Sequence, residues 1–201
     1  ASGRRQPHER DVIDSVSHAA VRLAERRHGA LIVIQRLDSL EEFVETGVPL
    51  GAEVSPELLL QIFYPNTPLH DGAVIVANTR VIGAACVMPL SSSGVLSENP
   101  DRQMGLRHRA ALGTSEISDS VALVVSEETG AISLCSEGQI ERNLSSEDFS
   151  QRMEEIFLNK NTDDEEGVSE ELGAEDDVAD TGDGDLDPDS EISGSERNVG
   201  G

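Results

Sequence analysis

Three short polar clusters stand where apolar structure is about to begin or has just ended, and their residue types could together do chemistry at phosphorus. The first, His70-Asp71-Gly72, leads directly into the apolar run AVIVA. The second, Gly105-Leu106-Arg107-His108-Arg109, sets three potential cations side by side ahead of AALG. The third, Ser126-Glu127-Glu128-Thr129-Gly130, separates two further apolar runs. Taken singly, each also reads as ordinary structure: an Asp-Gly turn, a solvated arginine-rich turn, an acidic hairpin turn. Taken together, they offer carboxylates for a divalent cation, Arg and His donors for a polyphosphate, and glycine where backbone must approach a ligand. Three adjacent helical residues point in different directions, so no single salt-bridged surface uses all of them. At a loop-to-helix junction, however, guanidinium forks and the helix N-terminus can converge on phosphate oxygens. No Walker-type loop occurs, and the only lysine, Lys160, is remote in sequence from all three clusters.

The clusters need a scaffold, and the apolar pattern supplies one. Helical spacing of Val12, Ile13, Val16, Ala20, Leu23 and Ala24 predicts a helix over 10–27, ended by Gly29. ALIVI is short, continuous and apolar, as a strand buried on both faces should be. Asp38 with Glu41 resembles a capping box for a short helix through Val44, closed by Gly47. Ser55-Pro56-Glu57 is a helix start with Ser as cap and Pro in the first turn. AVIVA and VIGAACVM flank Asn78-Thr79-Arg80 and read as a hairpin, followed by a polar surface loop over 91–103. A helix over 107–117 is then expected, with strands VALVVS and AISLC joined tightly by residues 127–130. An edge strand over 139–142 and an amphipathic helix over 148–158, capped by Ser145 or Ser146, complete the pattern. Helices and strands alternate irregularly and two links are hairpins, which predicts an α/β domain with a mixed β-sheet flanked by helices. Strand ends are where such sheets place ligands.

Charge is distributed unevenly along the 201 residues. Residues 161–201 hold 16 of the 39 acidic residues and one of the 15 basic ones, a net of −15, which leaves −9 of the total −24 on the first 160. A segment so charged and so poor in apolar residues reads as a disordered acidic tail. The expected organisation is an N-terminal helix over 1–27, a domain over 28–160 and the tail over 161–201. Thinly spread arginines give no clustered basic face, so no nucleic-acid partner is expected. Cys86 and Cys135 lie within apolar runs, without ligand-like spacing, and read as core residues. No apolar run approaches the roughly 20 residues that span a bilayer.

GALIVI, IFYPNTPLHDGAVIV, GAACVMPLS, RHRAALGTSE and VVSEETGAIS, in this order and spacing, resemble the catalytic domain of the diadenylate cyclases. The likeness covers residues 12–142 and is to the membrane-anchored branch rather than the DNA-scanning one. It implies condensation of two ATP into cyclic di-AMP with release of pyrophosphate. It also implies a cytoplasmic domain tethered to the membrane only through a segment outside this chain. Under the resemblance, Asp71 activates the ribose 3′-hydroxyl with Mg²⁺ or Mn²⁺, with His70 a ligand of that metal. Gly72 and Ala73 let the strand start lie close to the ribose. Arg107, His108 and Arg109 match the residues that hold the triphosphate. Ser126 and Glu128 match positions contacting phosphate and metal, and the backbone of Met88-Pro89-Leu90 matches the adenine contact. One domain supplies one nucleotide site, so a two-fold symmetric product asks for a homodimer with two sites face to face.

Two departures from the family pattern bear on function. Leu106 stands where relatives carry Thr, which removes a hydroxyl contact, and Val87 stands where many carry an aromatic residue that can stack on the base. They motivate the alternative of a catalytically weak or inactive nucleotide-binding regulatory module. The intact Asp71 and Arg107-His108-Arg109 favour the enzyme.

Overall fold

ALIVI, AVIVA and VALVV become the three central strands because each is apolar at every position, and an all-apolar strand is stable only where both sheet faces are covered. In the computed structural model, which describes residues 9–92 and 104–157, every residue of these strands is buried. The elements run α1 (Glu9–Arg26), β1 (Ala30–Ile34), α2 (Glu41–Val44), β2 (Val48–Glu53), α3 (Pro56–Ile62), β3 (Ala73–Ala77) and β4 (Arg80–Cys86). They continue with α4 (Leu106–Ile117), β5 (Val121–Val125), β6 (Ile132–Ser136), β7 (Gln139–Leu144) and α5 (Ser146–Phe157). The sheet order is β2-β4-β3-β1-β5-β6-β7. Only β1 and β3 pair in parallel, so the sheet is mixed and the α/β expectation holds.

Alternation along the strands divides the core in two. Ile32, Val74, Val76, Leu123 and Leu134 face α1, α3 and α5. Leu31, Val33, Ile75, Val124 and Cys135 face the other way, against Ala110, Ala111 and Leu112 of α4 and, at the margin, Phe43 and Val44 of α2. Both cysteines are free and buried, and burial pushes the thiols up to about 11 for Cys86 and about 12 for Cys135. Among the described residues no helix is long and apolar enough to cross a membrane.

Several local expectations are met. Ser55 caps α3 by accepting from the Leu58 N–H at 3.2 Å, with Pro56 as first helical residue. Of the two candidate caps for α5 the structure selects Ser145, whose Oγ accepts from the Asp148 N–H at 3.1 Å. Others are corrected. Helix α1 ends at Arg27 in the left-handed region (φ 53°), with Arg27 N–H donating to Ala24 O and His28 N–H to Leu23 O, so Gly29 is not its cap. Asp38 caps nothing: its carboxylate accepts from the Asp119 N–H at 2.9 Å, the Asp119 carboxylate in turn accepts from the Leu37 and Asp38 N–H groups, and the N-cap of α2 is Leu40, without a side-chain hydrogen bond. Gly47 is needed because a Cβ there would lie 2.4 Å from Ala84 O on β4. Strand β2, VPLGAE, was not expected at all; it is the exposed edge strand beside β4. Ser91, expected on a surface loop, is 1 % exposed, while residues 93–103 of that loop and the tail over 161–201 lie outside the described residues.

Candidate active site

Register brings the polar clusters to one end of the sheet. Ala30 at the start of β1 pairs with Val125 at the end of β5, and Val125 with Ile132 at the start of β6. Ala73 at the start of β3 pairs with Cys86 at the end of β4. The parallel match of Ile32 with Val74 puts Ala30 level with Gly72, so the entries to β1 and β3 and the exits from β4 and β5 share that end.

The first cluster is fixed by its turn. Thr67 Oγ1 donates to Tyr64 O at 2.8 Å, and the His70 ring Nδ1 lies 2.6 Å from Thr67 O. A proton on Nδ1 makes that contact a hydrogen bond and leaves Nε2 as the ring's lone-pair nitrogen. Gly72 has φ 115°, and a Cβ on it would come within 2.6 Å of the Ala85 carbonyl carbon, so both conformation and space require glycine. Opposite it, β4 bulges, with Ala85 at φ 53° and the register shifting between Ala73 and Ile75. Asp71 is exposed beside this contact.

The second cluster opens α4, and its three side chains diverge as helical geometry requires. Gly105 is the N-cap without a side-chain bond, so the first-turn N–H groups have no intrahelical acceptor. Arg107 Nη1 donates to Glu127 Oε2 at 2.9 Å, and its Nε is buried without a hydrogen-bond partner. His108 Nε2 lies 3.3 Å from the buried Ser133 Oγ of β6, and its pKa is lowered by desolvation first and by the nearby Arg142 charge second. Arg109 Nε donates to Ser91 O at 3.1 Å, and the Ser91 N–H returns a bond to Arg109 O at 2.9 Å.

That exchange fixes the segment after β4. Ser91 Oγ also donates to Glu116 at 2.7 Å, and a Cβ on Gly113 would lie 2.3 Å from Pro89 O, so the backbone of Pro89 to Ser91 rests directly on α4. Met88 is 5 % exposed and its side chain joins the core, whereas Val87 and Leu90 face solvent. The third cluster is a turn in which Gly130 N–H donates to Ser126 O at 2.9 Å and Thr129 N–H to Ser126 Oγ at 3.3 Å. Glu127 and Glu128 are exposed on it.

Sequence reasoning missed Gly29, Ser91, Glu127 and Ser133 as residues that hold the site. Glu127 was visible within an acidic cluster, but nothing in the sequence says which of two adjacent carboxylates turns towards Arg107. Among the described residues no three His, Cys, Asp or Glu side chains form a group able to hold a metal, so His70, Asp71 and Glu128 are not gathered into a protein cage.

Fold and site together define a mixed-sheet α/β domain whose polar groups collect beyond one end of its central strands. The chain belongs to the DAC family, described as DisA bacterial checkpoint controller nucleotide-binding, whose model matches residues 17–140. It is 46 % identical over 154 residues to cyclic di-AMP synthase CdaA of Bacillus subtilis, covering 77 % of this chain and 55 % of that protein. It is 48 % identical over 138 residues to a diadenylate cyclase of Listeria monocytogenes, covering 69 % of this chain and 49 % of that one. The chain thus spans about half the length of these curated relatives. The crystal structure of a double mutant of DacA from Staphylococcus aureus superposes with a TM-score of 0.68 at 43 % identity, covering 75 % of this chain and 97 % of that one.

Proposed function

We propose that this domain is a diadenylate cyclase that joins two ATP molecules into cyclic di-AMP. The observation that carries the reading is the shared sheet end: Asp71-Gly72 precedes β3 level with the entry to β1, the Ser126 turn follows β5 at the same end, and Glu127 of that turn is bonded to Arg107 of α4. The names borne by its relatives agree with it. In each of two equivalent steps a ribose 3′-oxygen attacks the α-phosphorus of the other nucleotide. The P–O bond to the β-phosphate breaks, pyrophosphate leaves, and the hydroxyl proton is given up. Asp71, exposed and placed where Gly72 brings backbone close, is the group to orient that hydroxyl and accept its proton. Arg107 and the free N–H groups of α4 offer positive charge to the departing pyrophosphate, and Arg109, which diverges from Arg107 and donates its Nε to Ser91 O, holds the segment after β4 in place. His108, engaged with Ser133, holds α4 against β6. The backbone of Met88, Pro89 and Leu90, fixed on Gly113, is the surface for adenine.

A divalent ion fits this set as a partner of the substrate. Mg²⁺ is commonly held by one or two carboxylates plus substrate phosphates rather than by an all-protein cage, which suits the dispersed His70, Asp71 and Glu128. Bound there, Mg²⁺ or Mn²⁺ would stabilise the charge developing on phosphate oxygens. Because the product is symmetric and one domain presents one site, the active species is a homodimer with sites facing. Incubation of the purified chain with ATP and Mn²⁺ should give cyclic di-AMP by chromatography, and Asp71→Asn should bind ATP yet form none. ATP binding by the native chain without product would instead favour a regulatory nucleotide-binding module.

A further inference from the structure

We propose that Glu127 is a positioning residue for Arg107, an inference resting on the phosphate-binding reading of that arginine. Three separate parts of the chain meet at the pair: the entry to β1, the first turn of α4 and the β5–β6 turn. A Cβ on the buried Gly29 would lie 2.8 Å from Arg107 Nη1, 2.9 Å from Cζ and 2.9 Å from Glu127 Oε2, so the ion pair is laid flat on the bare backbone of Gly29. The carboxylate takes Nη1 at 2.9 Å and the interior takes Nε. What remains for a ligand is the Nη2 edge, held in one orientation by a backbone floor on one side and a carboxylate on another.

Stability does not account for this arrangement. The Glu127 side chain is 62 % exposed against 22 % for Arg107, and an ion pair whose carboxylate is this open to water contributes little to folding. Orientation does account for it, because a guanidinium already fixed loses less rotamer freedom when an anion arrives. The adjacent Glu128 contributes nothing to this pair, which leaves it for the phosphate and metal side of the site.

The test compares the full native chain with Glu127→Ala, Glu127→Gln and Arg107→Ala, measuring ATP affinity by calorimetry alongside melting temperature. Glu127→Ala should weaken ATP binding about tenfold, the value of one charge-assisted hydrogen bond, while the melting temperature moves by no more than about 2–4 °C. Glu127→Gln keeps an acceptor oxygen and should recover most of the loss. Gly29→Ala should reproduce the weakening in the native background and add little to Glu127→Ala, since both disturb one pair. Unchanged or tighter ATP binding by Glu127→Ala, with Arg107→Ala weakened, overturns the role of Glu127 alone. Arg107→Ala that binds ATP like the native chain overturns the phosphate reading, and this inference with it.

Discussion

His108 gives the fold a pH dependence whose sign follows from its surroundings. Burial and the Arg142 charge lower its pKa from the ordinary 6.5, so the folded chain resists a proton that the unfolded chain accepts. Its contribution is therefore fully present above about pH 6.5 and is lost as pH falls through the lower folded value. Melting temperature should drop on going from about pH 7.5 to 5.5, and it should drop less in His108→Asn, which cannot protonate. Equal slopes in the two proteins would show that the imidazole is not the group responsible. Val87, 66 % exposed at the exit from β4, carries a second residue-level prediction. An aromatic ring there can stack on adenine, and stacking is worth about 1–3 kcal/mol per base, so Val87→Tyr should lower KM for ATP roughly tenfold with little change in kcat. At this scale the sequence shows which polar residues stand together and says little about where they point. Three adjacent cations had to diverge, and they do; that Arg107 would find Glu127, His108 Ser133 and Arg109 the Ser91 backbone depends on partners 18 to 25 residues away, in a turn, a strand and a connecting segment.

Elements were legible in proportion to how strongly burial marks them. Continuous apolar runs announced β1, β3 and β5, and a Ser-Pro start announced α3, because each signal is local. Strand β2 carried no such mark: it is almost wholly exposed, includes Pro49 and Gly51, and pairs on one side only across an irregular register. The failed capping box at Asp38 has the same origin, since a carboxylate 81 positions away competed for the local backbone. The contact between α4 and the segment after β4 is equally non-local and can be tested directly. Gly113→Ala would push a methyl group to 2.3 Å from Pro89 O, costing about 1–3 kcal/mol by overpacking and displacing the proposed adenine surface. Both a lower melting temperature and weaker ATP binding should follow, and a native-like result in both would show that the segment does not rest on α4. The strands protect their cysteines as well. With thiols raised to about 11 and 12, Cys86 and Cys135 should resist iodoacetamide until denaturant is added, and rapid labelling of the native chain would contradict their burial.

At the scale of the molecule the mixed α/β class was readable from the alternation of elements, but the strand order was not, and the order is what makes the site. Placing β1 between β3 and β5 brings Gly72 and Val125, 42 and 95 positions from Ala30 in sequence, to the same sheet end as Ala30. That end, by the proposed reaction, prepares a single nucleotide, so a cyclic product should need two intact chains. Asp71→Asn keeps the shape of the turn and removes the charge that orients the attacking hydroxyl. A dimer of one native and one Asp71→Asn chain should then complete at most one of the two bonds and release a linear species or nothing. If a tenfold excess of variant is mixed with native chains under conditions where subunits exchange, wild-type pairs become the minority, and cyclic di-AMP per native chain should fall roughly tenfold. Exchange must be shown independently, by energy transfer between labelled subunits. Product per native chain that stays constant despite that exchange would mean that one chain closes both bonds, and the face-to-face dimer would have to be abandoned even if the chain proved to be a cyclase.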